Sequence, residues 1–152
     1  MGGVAPIGDS SAVLLVDLER QRAVPIFIGE TEALTIQLRL ERRSYARPLT
    51  HDLLDSMMKS LGGEVESVRV DKLDRDVFYG KVVLHDGDRR TELDARSSDA
   101  VAVALGHAVP IFMAKGVLVR AGIALSNGTL PETVSPHDAK VGASAHRNPV
   151  SL

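Results

Sequence analysis

The stretch SSDAVAVALGH, residues 97–107, constrains this chain more than any other part of it. Residues 99–105 read as a short helix in which Ala and Val point apolar atoms in every direction. A helix that is apolar all round has to be buried. Whatever else the chain folds into must therefore wrap this segment, and its Ala positions allow neighbouring backbone to come close. Ser97 or Ser98 can cap the helix, and Asp99 stands in its first turn, where the helix dipole favours negative charge.

The material for the wrapping is legible on both sides. Residues 12–18 form a near-continuous apolar run, followed after a polar ERQR turn by residues 24–28, which predicts a hairpin whose first strand is covered on both faces. The pentapeptide AVPIF occurs at residues 23–27 and again at 108–112, and each copy runs into a potential helix. Pro is tolerated at a strand start or edge, so VPIF is expected to mark where each of two similar strand-helix units begins. Residues 30–42 have helical apolar spacing with Glu30 and Glu32 in the first turn. A further helix is expected from Thr50 as N-cap, with Leu53, Leu54, Met57, Met58 and Leu61 on one core face and Gly62-Gly63 as terminator. Strands are expected at residues 64–71, 77–85 and 89–94, the last two joined across Asp86-Gly87-Asp88. The fold class is α+β, with a mixed, largely antiparallel sheet from the two units and packed helices. With 152 residues and 44% hydrophobic content the chain is one domain. Residues 1–10 are expected as a flexible lead, 11–123 as the core, and the Ser-, Pro- and Gly-rich residues 124–152 as a flexible tail.

Composition removes several functions. The chain has no Cys, which excludes disulfides, thiolate metal sites and a Cys nucleophile, and favours the cytoplasm. No apolar run approaches the roughly 20 residues of a membrane span, and the first ten residues lack the features of a secretory signal. There is no HExxH, GxSxG, P-loop or GxGxxG pattern. Net charge is −2 and aromatic content 3%, neither of which suits an electrostatic funnel or a base-stacking platform for nucleic acid. Arg39, Arg42, Arg43 and Arg47 nevertheless cluster around Tyr45. They fit either a phosphate-binding patch or a solvated helix end.

Two polar joints carry potential chemistry. RPLTHDLL brings Arg47, His51 and Asp52 to a helix N-terminus, where free backbone N–H groups form a ready anion site. ELDARSSDA brings Asp94, Arg96, Ser98 and Asp99 to the start of the buried helix. Asp94 and Asp99 could hold Mg²⁺ or Mn²⁺ with water ligands, as a phosphodiester hydrolase requires. The same residues also suit ordinary work: Asp52 and Asp99 at helix dipoles, Ser98 as a cap, Arg96 as an ion-pair partner.

Together, VPIFIGETEALTI, RPLTHDLL, FYGKVVL, LDARSSDAVAVAL, the second VPIF and VLVRAGI resemble the bifunctional nuclease domain family, in order and spacing across residues 12–123. Ser97 departs from a usual Pro, and Lys115-Gly116 from a usual acidic pair. The resemblance implies an α+β fold and, in some members, cleavage of both DNA and RNA. The site is then inferred from chemistry at the matching positions. His51 and Asp52 would orient or deprotonate water. Asp94 and Asp99 would hold the metal, and Arg39, Arg42, Arg43, Arg47, Arg96 and Ser98 would meet the substrate. The alternative is a non-catalytic ligand- or protein-binding regulatory module. Homo-oligomerisation is left open by the sequence.

Overall fold

Helix α3 (Ser97–His107) is the element around which the chain is arranged. Ala100 and Val101 are fully buried and Ala102, Val103 and Ala104 nearly so, as a helix without a polar face requires. In the computed structural model, which describes residues 4–7, 10–17, 19 and 21–126, two four-stranded sheets cover it. The first is ordered β1 (Val4–Ile7), β2 (Ser10–Asp17), β3 (Arg22–Ile28), β8 (Ile123–Ala124). The second is ordered β6 (Arg89–Arg96), β5 (Val77–Asp86), β4 (Glu64–Asp74), β7 (Ile111–Met113). All neighbours pair antiparallel except β4 and β7, which run parallel. The remaining helices are α1 (Glu30–Leu40), α2 (Thr50–Ser60) and α4 (Lys115–Ala121).

The α+β class is as expected, but the strands divide into two sheets, with α3 contributing to both cores. Val101 and Ala102 pack with Val13, Leu15, Val24 and Ile26 of the first sheet and with Ile36 of α1. Ala100, Val103 and Ala104 pack with Val65, Val68 and Val82 of the second. The close approach foreseen from the Ala positions occurs at Gly80 of β5. A Cβ there would lie 3.0 Å from Ala100 Cβ and 3.1 Å from Ser97 Cα, so the start of α3 rests directly on bare backbone.

The two AVPIF copies do different work. Pro25 lies within β3, opposite Leu14, rather than at its start. The strand tolerates it because β8 reaches only Arg22 and Ala23, which leaves that edge without a described partner at Pro25. In the second copy Ala108 ends α3 in the left-handed region (φ 52°) and β7 begins after Pro110. Each copy does lead into a helix, α1 and α4, but the two units belong to different sheets.

Several boundaries differ from those expected. Residues 4–7, within the expected lead, pair with β2, and Ile123–Ala124 close onto β3, carrying the first sheet into residue 124. Of the expected tail, residues 127–152 lie outside the described residues. β4 continues past residue 71 to Asp74 because Leu73 is buried, and it turns into β5 through Arg75 and Asp76, both at positive φ. The Gly87-Asp88 hairpin is as expected, with Asp86 opposite Arg89 and Gly87 at φ 55°.

The largest correction concerns α2. Its N-cap is Leu49, not Thr50. It has no buried residue: Leu53, Leu54, Met57 and Leu61 are exposed, and only Met58 packs against a core cluster. Of the face read as core, Leu53, Met57 and Leu61 are outward, because polar groups, described next, hold the other side of the helix against α1 and α3.

Candidate functional site

Strand β6 runs into α3 without a loop. Arg96 is the last residue of the strand and, with extended backbone (φ −63°, ψ 143°), the N-cap of the helix. Arg96 and Asp99 are thus one helical turn apart. The guanidinium grips the carboxylate at both ends, Nε to Oδ2 at 2.7 Å and Nη2 to Oδ1 at 3.1 Å. Its third nitrogen, Nη1, donates to Glu32 Oε1 of α1 at 2.9 Å. From α2, His51 Nε2 meets Asp99 Oδ1 at 3.2 Å.

His51, Arg96 and Asp99 line a cavity of about 400 Å³ between α2, α3 and the β5–β6 edge of the second sheet. Thr50, His51, Asp94, Arg96 and Asp99 supply its polar lining. Leu54, Val82, Leu93, Ala95 and Val103 supply its apolar walls. Burial works against ionisation of Asp99, but the hydrogen bonds and charge of Arg96, aided by His51, outweigh it and hold the carboxyl below the usual range. Asp99 in turn stabilises the charged form of Arg96. An ionised carboxylate only accepts hydrogen bonds, so Asp99 fixes the tautomer of His51: Nε2 carries the proton, and Nδ1 is the nitrogen able to take another.

Of the residues singled out in the sequence, His51, Arg96 and Asp99 therefore meet at one cavity, whose lining also includes Asp94. Asp52 does not join them. Its Oδ2 accepts from the Leu49 backbone N–H at 3.0 Å and its Oδ1 pairs with Arg39 at 3.1 Å. Arg39 is not a surface phosphate ligand either. Its side chain is 8% exposed and also donates to Asp55 Oδ2 at 2.7 Å and to the Ala102 carbonyl at 2.7 Å. His107 Nε2 donates to the other oxygen of Asp55 at 3.0 Å. This network ties α2 to α1 and α3.

Ser98 lies inside α3 at 7% exposure, away from the cavity lining, and caps nothing, since the helix has already begun at Ser97. Arg42, Arg43 and Arg47 are exposed on the connection between α1 and α2, because α1 stops at Leu40. Arg43 pairs with Glu41 at 3.2 Å; Arg42 and Arg47 have no ion pair among the described residues.

The Asp94 side chain has no hydrogen bond or ion pair among the described residues. A divalent ion shared by Asp94 and Asp99 would compete with Arg96 and His51 for Asp99. Among the described residues no group of three His, Asp or Glu side chains is disposed to hold a metal ion, so such an ion would take its remaining ligands from water or substrate. Sequence reasoning missed three participants. Glu32 was read only as a helix-dipole residue, though it lies within the GETEALTI segment. Asp55 and His107 carry no local signal, since their meeting depends on how α2 crosses α3.

Comparison with known proteins adds an independent line. The family described as the bifunctional nuclease domain matches residues 13–126. An uncharacterised protein of Mycobacterium tuberculosis is 35% identical over 130 residues, covering 81% of this chain and 77% of that protein. Bifunctional nuclease 1 of Oryza sativa subsp. japonica is 24% identical over 118 residues, and bifunctional nuclease 2 of the same plant 25% over 114. The matches cover 76% and 73% of this chain but only 36% and 35% of the two rice proteins.

Proposed function

Since the chain belongs to the bifunctional nuclease domain family, we propose that it is a nuclease hydrolysing phosphodiester bonds of DNA and RNA with little sequence preference, and that His51 and Asp99 carry the reaction. The observation behind this is the 3.2 Å contact between His51 and Asp99 in the cavity lining, with Arg96 alongside. Asp99 holds the Nε2 proton, so Nδ1 takes a proton from water as the water oxygen attacks phosphorus. The bond from phosphorus to the leaving sugar oxygen breaks, that oxygen takes a proton from solvent water, and His51 returns its own proton to solvent. Asp99 stabilises the imidazolium formed on the way. Arg96, largely exposed, balances charge on the phosphate oxygens. Water as the nucleophile accounts for DNA and RNA alike, because no 2′-hydroxyl is required. Arg42, Arg43 and Arg47 would attract the backbone from the neighbouring loop. The cytoplasm, expected from the absence of Cys, is kept as part of this proposal.

The expected Mg²⁺ or Mn²⁺ enters this reading only if substrate phosphate draws Arg96 away from Asp99; the steps above need no ion. A second reading, a non-catalytic ligand- or protein-binding module, is favoured by one observation. The cavity can hold a small ligand without the set Glu32, Arg96, Asp99 and His51, which is already mutually satisfied, doing any chemistry. Cleavage of labelled DNA and RNA by wild type, His51→Ala and Asp99→Asn, with and without chelator, separates the two. The nuclease reading expects loss in both variants and activity that survives chelation. Equal rates in all three proteins would leave the binding module.

A further inference from the structure

The cavity has two chemically different halves, and the reaction proposed above uses only one of them. Its apolar half is bounded by Val82 and Val103, both buried, and by Leu54 and Leu93, which are 51% and 47% exposed. Leu54 and Leu93 face this space from α2 and β6, and Leu93 does so from the edge strand of its sheet. We propose that this half is a subsite for an unpaired nucleobase, so that the site takes single-stranded nucleic acid one extruded nucleotide at a time. The proposal rests on the nuclease reading for the identity of its substrate.

Three features support it. A volume of about 400 Å³ suits a ligand the size of a single nucleotide rather than a helix or strand of a partner. The apolar walls adjoin His51 and Arg96, so an occupant with a phosphate within a nucleotide's length of its apolar end would compete with Asp99 and Glu32 for the Arg96 guanidinium. A wholly apolar ligand would strip water from Arg96, Asp94 and Asp99 and return nothing to them. Finally, Leu54, Val82, Leu93 and Val103 carry no side-chain donor or acceptor. Such walls recognise the surface of any base and read the edge of none, which accounts for cleavage without sequence preference. No Phe, Tyr or Trp lines the cavity, so little there replaces the stacking a base gives up on leaving a duplex, and paired strands should be poor substrates.

Binding of adenosine 5′-monophosphate and of ribose 5-phosphate to the full chain, followed by calorimetry, isolates the base. The subsite predicts about tenfold tighter binding of the nucleotide. Leu54→Ser and Leu93→Ser, at half-exposed positions, should each erode that preference while leaving ribose 5-phosphate binding unchanged. Equal affinity of wild type for the two ligands, or binding of neither, would overturn the subsite. Cleavage of a single strand, of the same strand with one abasic residue and of the duplex gives a second readout. Discrimination against the abasic position and the duplex supports the subsite; equal cutting of all three overturns it while the nuclease reading stands. A nucleotide preference in a protein that cuts nothing would keep the subsite and remove the enzyme.

Discussion

At Asp99 two effects oppose each other. Partial burial disfavours the carboxylate, while the paired bonds from Arg96 and the contact from His51 favour it more, and the balance falls on the charged side. The sign of the consequence for stability is fixed. A folded-state value depressed below the ordinary 3.8 means that Asp99 stabilises the fold above that value, and that this contribution is lost as pH falls through the lowered one. Asp99→Asn should therefore be less stable than wild type in denaturant titrations at about pH 7, with the gap closing as pH falls below 3.8 through the lowered value. A constant gap across that range would mean that the ion pair with Arg96 contributes nothing. The residue owes this position to its place at the start of a buried helix, which the sequence exposed clearly. The partners on α1 and α2 lie too far away in sequence for any local pattern to announce them.

Among the elements, α2 is the one whose placement matters most for the site and whose burial is least. A helix with no buried residue is held by what its polar face grips: Asp52 and Asp55 on Arg39, Asp55 on His107, and His51 on Asp99. Arg39→Met removes the buried cation but leaves Asp55 behind, and it should cost about 3 kcal/mol. By loosening α2 it should also lower cleavage through His51. A destabilised variant with unchanged turnover would show that His51 does not depend on this clamp. The apolar spacing of Leu53, Met57 and Leu61 made α2 legible as a helix, since periodicity specifies an amphipathic helix. Periodicity does not say which face turns inward, and here the charged face does. The buried helix α3, the β5–β6 hairpin and the β2–β3 pair were legible because each follows from burial or turn chemistry within a few residues. The division into two sheets was not, because it depends on the parallel pairing of β7 with β4 across about forty residues of chain.

For the whole molecule, a net charge of −2 gives no general attraction for nucleic acid. Attraction must come from local groups, and the loop between α1 and α2 offers Arg42 and Arg47 without ion pairs among the described residues and Arg43 on an exposed one. Replacing Arg42 and Arg43 with Ala should weaken binding to single strands and flatten its salt dependence by about one slope unit for each phosphate that the loop no longer neutralises. An unchanged slope would make this loop a solvated connection. Beyond binding, the proposed chemistry stands on one claim, that the imidazole of His51, oriented by Asp99, takes the proton. The most direct measurement is cleavage of a labelled single strand by His51→Ala with imidazole added to solution, because a contaminating nuclease would not respond to it. The variant should be nearly inactive, imidazole should restore part of the rate in a concentration-dependent manner, and the restored rate should fall when Asp99→Asn is added. Cleavage by His51→Ala at the wild-type rate, indifferent to imidazole, would contradict the claim.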